Sequence, residues 1–336
     1  MSDPVETVMP LVSVLIPAYN VERYVSEAVR AVMTQTYSNL EIIVIDDGSQ
    51  DDTYSVLEGL AKQDKRIRLY RNEVNLGLIS TLNKGLDIAT GEYLARTDAD
   101  DITEPDWIET IINQLQKQPS IMAMSAFLIE MREDNSGRAV KNPHGTIISY
   151  PLDPESIRKT LLFKNPINHS AIIIRTDIFR QYGLRYDKSY LHAEDYKLWL
   201  EISKIGNLAN LDKPLLHYRM HPMQVSYAKR DIQNKTARKI RKEAINHYLT
   251  TSGVDFNIPE KLAYADVCRF ADAVQGLPEQ DMWGALLYDC YLSLENYKWR
   301  DWWHFWQNPQ NTRFTWQQRL KILKKYLRPW KYGKRL

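Results

Sequence analysis

The chain has only two cysteines, Cys268 and Cys290, in 336 residues. Two thiols cannot staple a protein of this size, so a disulfide framework is excluded and a reducing compartment is expected. No apolar stretch reaches the roughly 20 residues that span a bilayer. Met1 to Pro10 lacks the basic start and apolar core of a secretion signal. The expected location is therefore cytoplasmic. No internal repeat and no low-complexity tract is present, and Asn135-Ser136-Gly137 and Lys141-Asn142-Pro143-His144-Gly145 read as loops only. What remains is an ordinary soluble composition, 44% hydrophobic and 26% charged, in a chain long enough for one large domain and an appendage.

The net charge of +2 conceals an asymmetry. From Trp302 to Leu336 there are nine basic residues and no acidic one, so residues 1–301 carry −7. Seven of the nine tryptophans lie beyond residue 280. Trp316, Leu320, Leu323, Leu327 and Trp330 recur at helical spacing with Arg319, Lys321, Lys324, Lys325 and Arg328 around them. That pattern fits a basic amphipathic helix lying in an anionic membrane surface, or a stripe packed on the rest of the protein with its cations in water. No nucleic-acid partner is expected.

The most pointed chemistry is in Glu92-Tyr93-Leu94-Ala95-Arg96-Thr97-Asp98-Ala99-Asp100-Asp101, with three carboxylates in four positions after a short apolar run. Clustered carboxylates at a strand end need a counter-charge. Hard oxygen ligands without neighbouring Cys or His suit Mg²⁺ or Mn²⁺ rather than Zn²⁺. The bland reading is a solvated acidic turn that caps the next helix, with Pro105 in its first turn.

Around this motif, strand-like and helix-like runs alternate. Strands are expected at 11–16, 41–45, 67–70 and 93–95, with helices at 21–34, 54–61 and 79–88. Alternation of this kind builds a doubly wound α/β sheet, whose ligands bind outside the carboxyl ends of the strands. Pro17-Ala18-Tyr19-Asn20, Asp46-Asp47-Gly48-Ser49 and Asp98-Ala99-Asp100 would converge on that edge. After about residue 225 the pattern turns helical, at 232–249, 260–273, 281–297 and 315–327. A catalytic domain over 1–224 followed by a helical module over 225–336 is expected.

Val12-Ser13-Val14-Leu15-Ile16-Pro17-Ala18-Tyr19-Asn20, Ile45-Asp46-Asp47-Gly48-Ser49, Asn75-Leu76-Gly77, Leu82-Asn83-Lys84-Gly85, Gly91-Glu92-Tyr93 and Asp98-Ala99-Asp100-Asp101 together resemble the successive blocks of the family 2 glycosyltransferases. Asn168-His169-Ser170, Glu194-Asp195-Tyr196-Lys197-Leu198-Trp199 and Tyr218-Arg219-Met220-His221 continue the likeness over the first two thirds of the chain. The resemblance implies a GT-A fold: a doubly wound, mixed α/β sheet with a Rossmann-like nucleotide-binding half.

It also implies a UDP-sugar donor and a Mn²⁺ or Mg²⁺ ion at its diphosphate. By that resemblance Asp100 is a direct metal ligand, Asp98 shares the ion or faces the ribose, and His221 completes the metal site. Asp101 caps the following helix. Arg219 meets the diphosphate or pairs with a carboxylate. Asp47 accepts from the uracil ring, or makes an Asx turn. Tyr19 stacks on the base with Pro17 shaping its loop, or is a packed tyrosine. Asn83 and Lys84 belong to the donor loop, unless Lys84 is simply solvated.

Asp195 is the implied base that takes the acceptor's proton, with Glu194 orienting acceptor or base. The alternative is two first-turn acids stabilised by the helix dipole. His169 lies on the acceptor side or is a satisfied buried imidazole. The Gln-x-x-Arg-Trp motif of processive members is missing, so one sugar per reaction is expected. The implied product is a lipid-linked or surface-polysaccharide (capsule or lipopolysaccharide) precursor, made at the cytoplasmic face of the inner membrane. A polyprenyl-phosphate sugar transferase and a non-catalytic nucleotide-sugar scaffold are the alternatives.

Overall fold

A computed structural model of the chain describes residues 9–133, 139–140, 145–220, 229–294, 299–308, 311 and 313–327. His221 lies outside the described residues. The chain divides into two compact units, Met1–Leu161 with Asn165–Thr236, and Leu162–Lys164 with Ala237–Leu336.

The first unit is built on one sheet. Strands β1 (Val12–Ala18), β2 (Leu40–Asp46), β3 (Ile67–Arg71) and β4 (Tyr93–Arg96) run parallel in the order β3-β2-β1-β4. β1, β2 and β4 are buried at every position, which explains why their sequences are continuous apolar runs rather than alternations. Helices α1 (Val25–Met33), α2 (Thr53–Ala61) and α3 (Leu78–Ile88) make the crossovers. α1 starts four residues later than its apolar pattern, because residues 21–24 close a turn in which Tyr24 N–H donates to the Val21 carbonyl.

Beyond β4 the sheet becomes mixed. The order continues β4-β9-β6-β10-β5, with β5 Ile102–Thr103, β6 Ile121–Glu133, β9 Ile172–Arg175 and β10 Asn207–Met220. β7 (Ala139–Val140) and β8 (Ile147–Ile148) both pair with β6. β9 is antiparallel to both β4 and β6, and β10 is parallel to β6. The start of β9 and the end of β10 therefore reach the same sheet edge as the end of β4. Helices α4 (Trp107–Lys117), α5 (Pro154–Leu161), α6 (Asp177–Gln181) and α7 (Glu194–Ile205) complete the unit. Trp107, Ile108, Ile111, Ile112 and Leu115 of α4 are all buried.

The second unit is helical: α8 (Arg230–Thr251, whose first turns belong to the first unit), α9 (Tyr264–Ala273), α10 (Gln280–Ser293), α11 (Trp299–Gln307) and α12 (Trp316–Leu327). α9 begins at Tyr264 because the Asp266 carboxylate accepts from the Ala263 N–H and caps the helix there. Its core holds Tyr291, Phe305 and Phe314 in mutual ring contact, with centroids 4.9 to 6.2 Å apart. On α12 the inward residues are Ile322 and Lys325, whereas Trp316 and Leu327 are 64% and 60% exposed. No described helix is long and apolar enough to cross a membrane.

Candidate active site

Three loops meet at the carboxyl ends of the parallel strands, as the alternation predicts. Asn20, held at φ 51°, links the first two: its N–H donates to Ser49 Oγ at 3.0 Å and its side-chain oxygen accepts from Gln50 N–H at 2.9 Å. Gly48 has φ +72°, and a Cβ there would fall 2.7 Å from the Val74 carbonyl carbon. Only glycine lets this turn close onto the loop before α3. Pro17 is buried within β1, and Tyr19, in the loop that follows, is 43% exposed.

Asp98, Asp100 and Asp101 each present an oxygen within 4.8 Å of the others. Asp98 is bound by the buried Arg96 in a two-point fork at 2.8 and 2.5 Å, and its N–H donates to Ser170 Oγ at 2.9 Å. Asp101 is only 1% exposed, whereas Asp98 and Asp100 are half-buried, so the solvated-turn reading fails for Asp101. It does not cap a helix either, because β5 intervenes and α4 starts at Trp107, with Pro105 ahead of the N-cap residue Asp106. Asp101 instead accepts the Arg219 N–H from β10 at 2.9 Å.

Its second oxygen, Oδ2, is buried and has no hydrogen-bond partner among the described residues. Burial, then repulsion from Asp100 and Asp98, pushes the Asp101 carboxyl well above the usual range. Burial also raises Asp98, against the pull of Arg96. An orphaned buried carboxylate oxygen beside two other carboxylates, with no sulfur or imidazole among them, fits a hard divalent cation.

Arg219 is 1% exposed. Its Nε donates to the Asp100 carbonyl at 2.7 Å, an Nη reaches Glu27 at 2.7 Å, and the guanidinium lies 4.8 Å from the Tyr24 ring centre. This holds it behind the acidic loop and in a carboxylate pair, the second of its two expected places.

On the nucleotide side, both oxygens of Asp47 accept hydrogen bonds, from Asn72 at 2.7 Å, Leu76 N–H at 2.9 Å and Gly77 N–H at 2.9 Å. Asp47 thus sets the loop that enters α3, a longer-range clasp than an Asx turn. Lys84 is half-buried and donates to Asn72 at 2.6 Å, so it is not merely solvated. The Asn83 amide lies on the backbone of Tyr186, donating to its carbonyl at 2.9 Å and accepting its N–H at 3.0 Å.

Glu194 and Asp195 open α7 as its first two residues. Glu194 is buried and Asp195 half-buried, with Asn165 donating to Asp195 Oδ2 at 2.7 Å. Burial, then the neighbouring Asp195, pushes Glu194 up to about 7. Burial also raises Asp195, opposed by its hydrogen bonds and by Arg96. His169 bonds Tyr186 Oη through Nε2 at 2.9 Å, and burial next to Arg96 keeps its imidazole neutral. Arg96 therefore acts electrostatically on Asp98, His169, Glu194 and Asp195 together. Of the expected residues the structure joins Asp98, Asp100 and Asp101 directly, and Glu194 feels the charge of Asp98. Sequence reasoning passed over Arg96, Asn165 and Tyr186.

A family model described as glycosyl transferase family 2 matches residues 13–183. The chain belongs to this family. An uncharacterized glycosyltransferase of Haemophilus influenzae is 40% identical to the family 2 chain over 320 residues, 95% of this chain and 97% of its own length. Chondroitin synthase of Escherichia coli is 28% identical over 240 residues, 71% of this chain. The chain spans only 33% of that synthase. Among solved structures, S. aureus TarS 1-349 in complex with UDP-GlcNAc superposes with a TM-score of 0.57 at 17% identity, over 95% of this chain and 92% of that one. Likeness at that identity establishes the fold, so the mixed sheet of the family 2 chain is of GT-A type, as the resemblance implies.

Proposed function

We propose that this family 2 enzyme is an inverting, cation-dependent glycosyltransferase that moves one hexose or N-acetylhexosamine from a UDP-sugar to a hydroxyl of a lipid-linked or surface-polysaccharide precursor. The observation that carries the reading is the acidic cluster at the end of β4, where Asp98, Asp100 and Asp101 bring oxygens within 4.8 Å of one another and Asp101 Oδ2 is buried without a hydrogen-bond partner among the described residues. A leaving diphosphate needs positive charge, which a cation held by the acidic cluster would supply, and an attacking hydroxyl needs a base, which the carboxyl pair would supply. The UDP-GlcNAc bound by TarS supports the donor class, and the chondroitin synthase of E. coli supports a polysaccharide product.

Asp100 and Asp101, with Asp98 oriented by Arg96, would hold the cation, and Tyr19, Pro17, Asp47 and Lys84 would form the nucleotide side. When bound, the cation neutralises charge on the departing diphosphate. Asp195, fixed by Asn165, takes the acceptor's proton as the acceptor oxygen bonds to the anomeric carbon and the bond to UDP breaks. One displacement inverts the anomeric centre. Glu194, pushed up to about 7, is shared between its two protonation states near neutrality and orients the acceptor.

The second proposed partner is an anionic membrane surface. Trp316 and Leu327 stand exposed on α12 beside Arg319, Lys321 and Lys324, and this supports docking at the cytoplasmic face of the inner membrane. The function is tested by incubating the protein with Mn²⁺, a panel of UDP-sugars and a lipid-linked acceptor, and measuring UDP release and product length. Release that depends on acceptor and stops at one added sugar supports the reading. No release with any donor would sink it.

A further inference from the structure

The Asn83 amide makes a two-point hydrogen bond with the peptide backbone of Tyr186, 103 residues downstream, at 2.9 and 3.0 Å. Four residues along the same helix, Asp87 pairs with Arg185 at 2.9 Å. The opposite end of this connection is also fixed. Lys84, the next residue on α3, donates to Asn72, and Asn72 donates to Asp47 at 2.7 Å, so α3 is tied to the loop assigned to the nucleotide.

Beyond Tyr186 the connection runs towards the base. Tyr186 is buried, its hydroxyl meets His169 Nε2 at 2.9 Å, and the His169 ring lies edge-on to Trp199 with centroids 5.7 Å apart. Trp199 is on α7, the helix that Asp195 opens. Seven residues lie between Tyr186 and Glu194 in the chain, and they include a short 3-10 turn at Lys188–Tyr190 and His192 at φ 64°. Apart from that single turn the segment has no helix or strand, so its approach to α7 depends on how its ends are held.

The geometry points to Asn83 as a positioning residue: it sets the segment that carries Asp195 against the nucleotide-side helix, and it does not contact the donor. This rests on the glycosyltransferase reading for its consequence in catalysis, but the strut itself can be observed without turnover. An amide suits the task because it offers one donor and one acceptor in the spacing of a peptide group, as in a rung of a β-ladder. No charged or purely apolar side chain can replace both bonds.

The test is Asn83→Ala, with Asn83→Asp as a second variant that keeps the acceptor for the Tyr186 N–H and loses the donor to its carbonyl. Three quantities are read on the full chain: UDP affinity with Mn²⁺ by calorimetry, kcat, and hydrogen exchange of the amides in 186–195. The expected result is a UDP Kd within about twofold of wild type, kcat lower by about tenfold to a hundredfold, and exchange in 186–195 faster by about fivefold or more with the β1 and β2 amides unchanged. Asn83→Asp should fall between Asn83→Ala and wild type, and it carries the test if the alanine variant does not fold. A UDP Kd weakened tenfold with exchange unchanged would overturn the inference and make Asn83 a donor contact. Unchanged kcat and exchange would overturn it as well. If the wild type turns over no sugar nucleotide, the functional reading fails, and exchange alone decides the strut.

Discussion

The guanidinium of Arg96 closes on both carboxylate oxygens of Asp98, at 2.8 and 2.5 Å, while itself only 2% exposed. The fork fixes the direction in which the acidic loop leaves β4, because a planar guanidinium on a rigid strand leaves the carboxylate one orientation. A lysine would keep the charge without the geometry.

Arg96→Met should therefore lower stability by about 2 kcal/mol, below the usual cost of breaking a buried pair since Asp98 is partly solvated. In a unit of this size that is a fall of roughly 4–8 °C in melting temperature. Arg96→Lys should fall in between. A melting curve unchanged in both variants would show that the fork contributes nothing.

Cation binding should be visible in stability as well as in rate. The carboxyls of Asp98 and Asp101 are raised in the folded protein, so their contribution is full below the unfolded-state value and is lost as pH rises through the folded one. In EDTA-treated protein the stability difference between wild type and Asp101→Asn should thus shift against wild type as pH rises towards neutrality. Mn²⁺ at a hundred times its Kd should restore about 2.7 kcal/mol, or roughly 5–10 °C, at pH 7.5 and less at pH 5.5. Asp100→Ala should abolish that gain and cation-dependent transfer together. Wild-type transfer that survives complete chelation would refute the metal role.

Asp195→Asn removes the proposed base while leaving its shape. Turnover should drop by about two to four orders of magnitude with UDP affinity preserved. Normal turnover would move the base to Glu194.

The pH profile carries a separate prediction. Since Asp195 is raised in the fold and Glu194 is pushed up to about 7, the acid limb of kcat should lie above the ordinary carboxyl range of about 4. Asn165 donates to the ionised form of Asp195. Asn165→Ala should then move the limb up by about 0.5–1 pH unit. A downward shift would contradict the assignment.

Membrane docking is better probed by substitution than by truncation. A chain ending near Gln310 would also lose Phe314 and Ile322, which are buried in the second unit. Trp316→Ser with Leu327→Ser leaves that core in place. The double variant should sediment less with phosphatidylglycerol vesicles while retaining transfer to a soluble acceptor, and wild-type binding should weaken in high salt, as basic residues contribute about 1 kcal/mol each. Equal sedimentation would leave α11 and its tryptophans as the anchor.

The parallel half of the sheet was legible because buried parallel strands write themselves as unbroken apolar runs. The mixed half was not. β6 is rich in Ala and Met, which do not favour strands, and β10 is interrupted at Asp212-Lys213-Pro214, where its register shifts against β6. The acidic loop was found from its charge density alone. Arg96 left a signal, as the lone cation closing an apolar strand beside three acids. Asn165 and Tyr186 left none, since each meets its partner only through distant pairing.

Asp101 receives its clasp from the Arg219 amide 118 residues further along the chain. During synthesis the acidic loop emerges long before that strand exists. A ribosome-bound chain halted before Arg219 would carry all three aspartates with the loop unfastened, so high cation affinity should arise only once β10 is out of the exit tunnel. In that order of events, cation capture would report that the first unit has been finished.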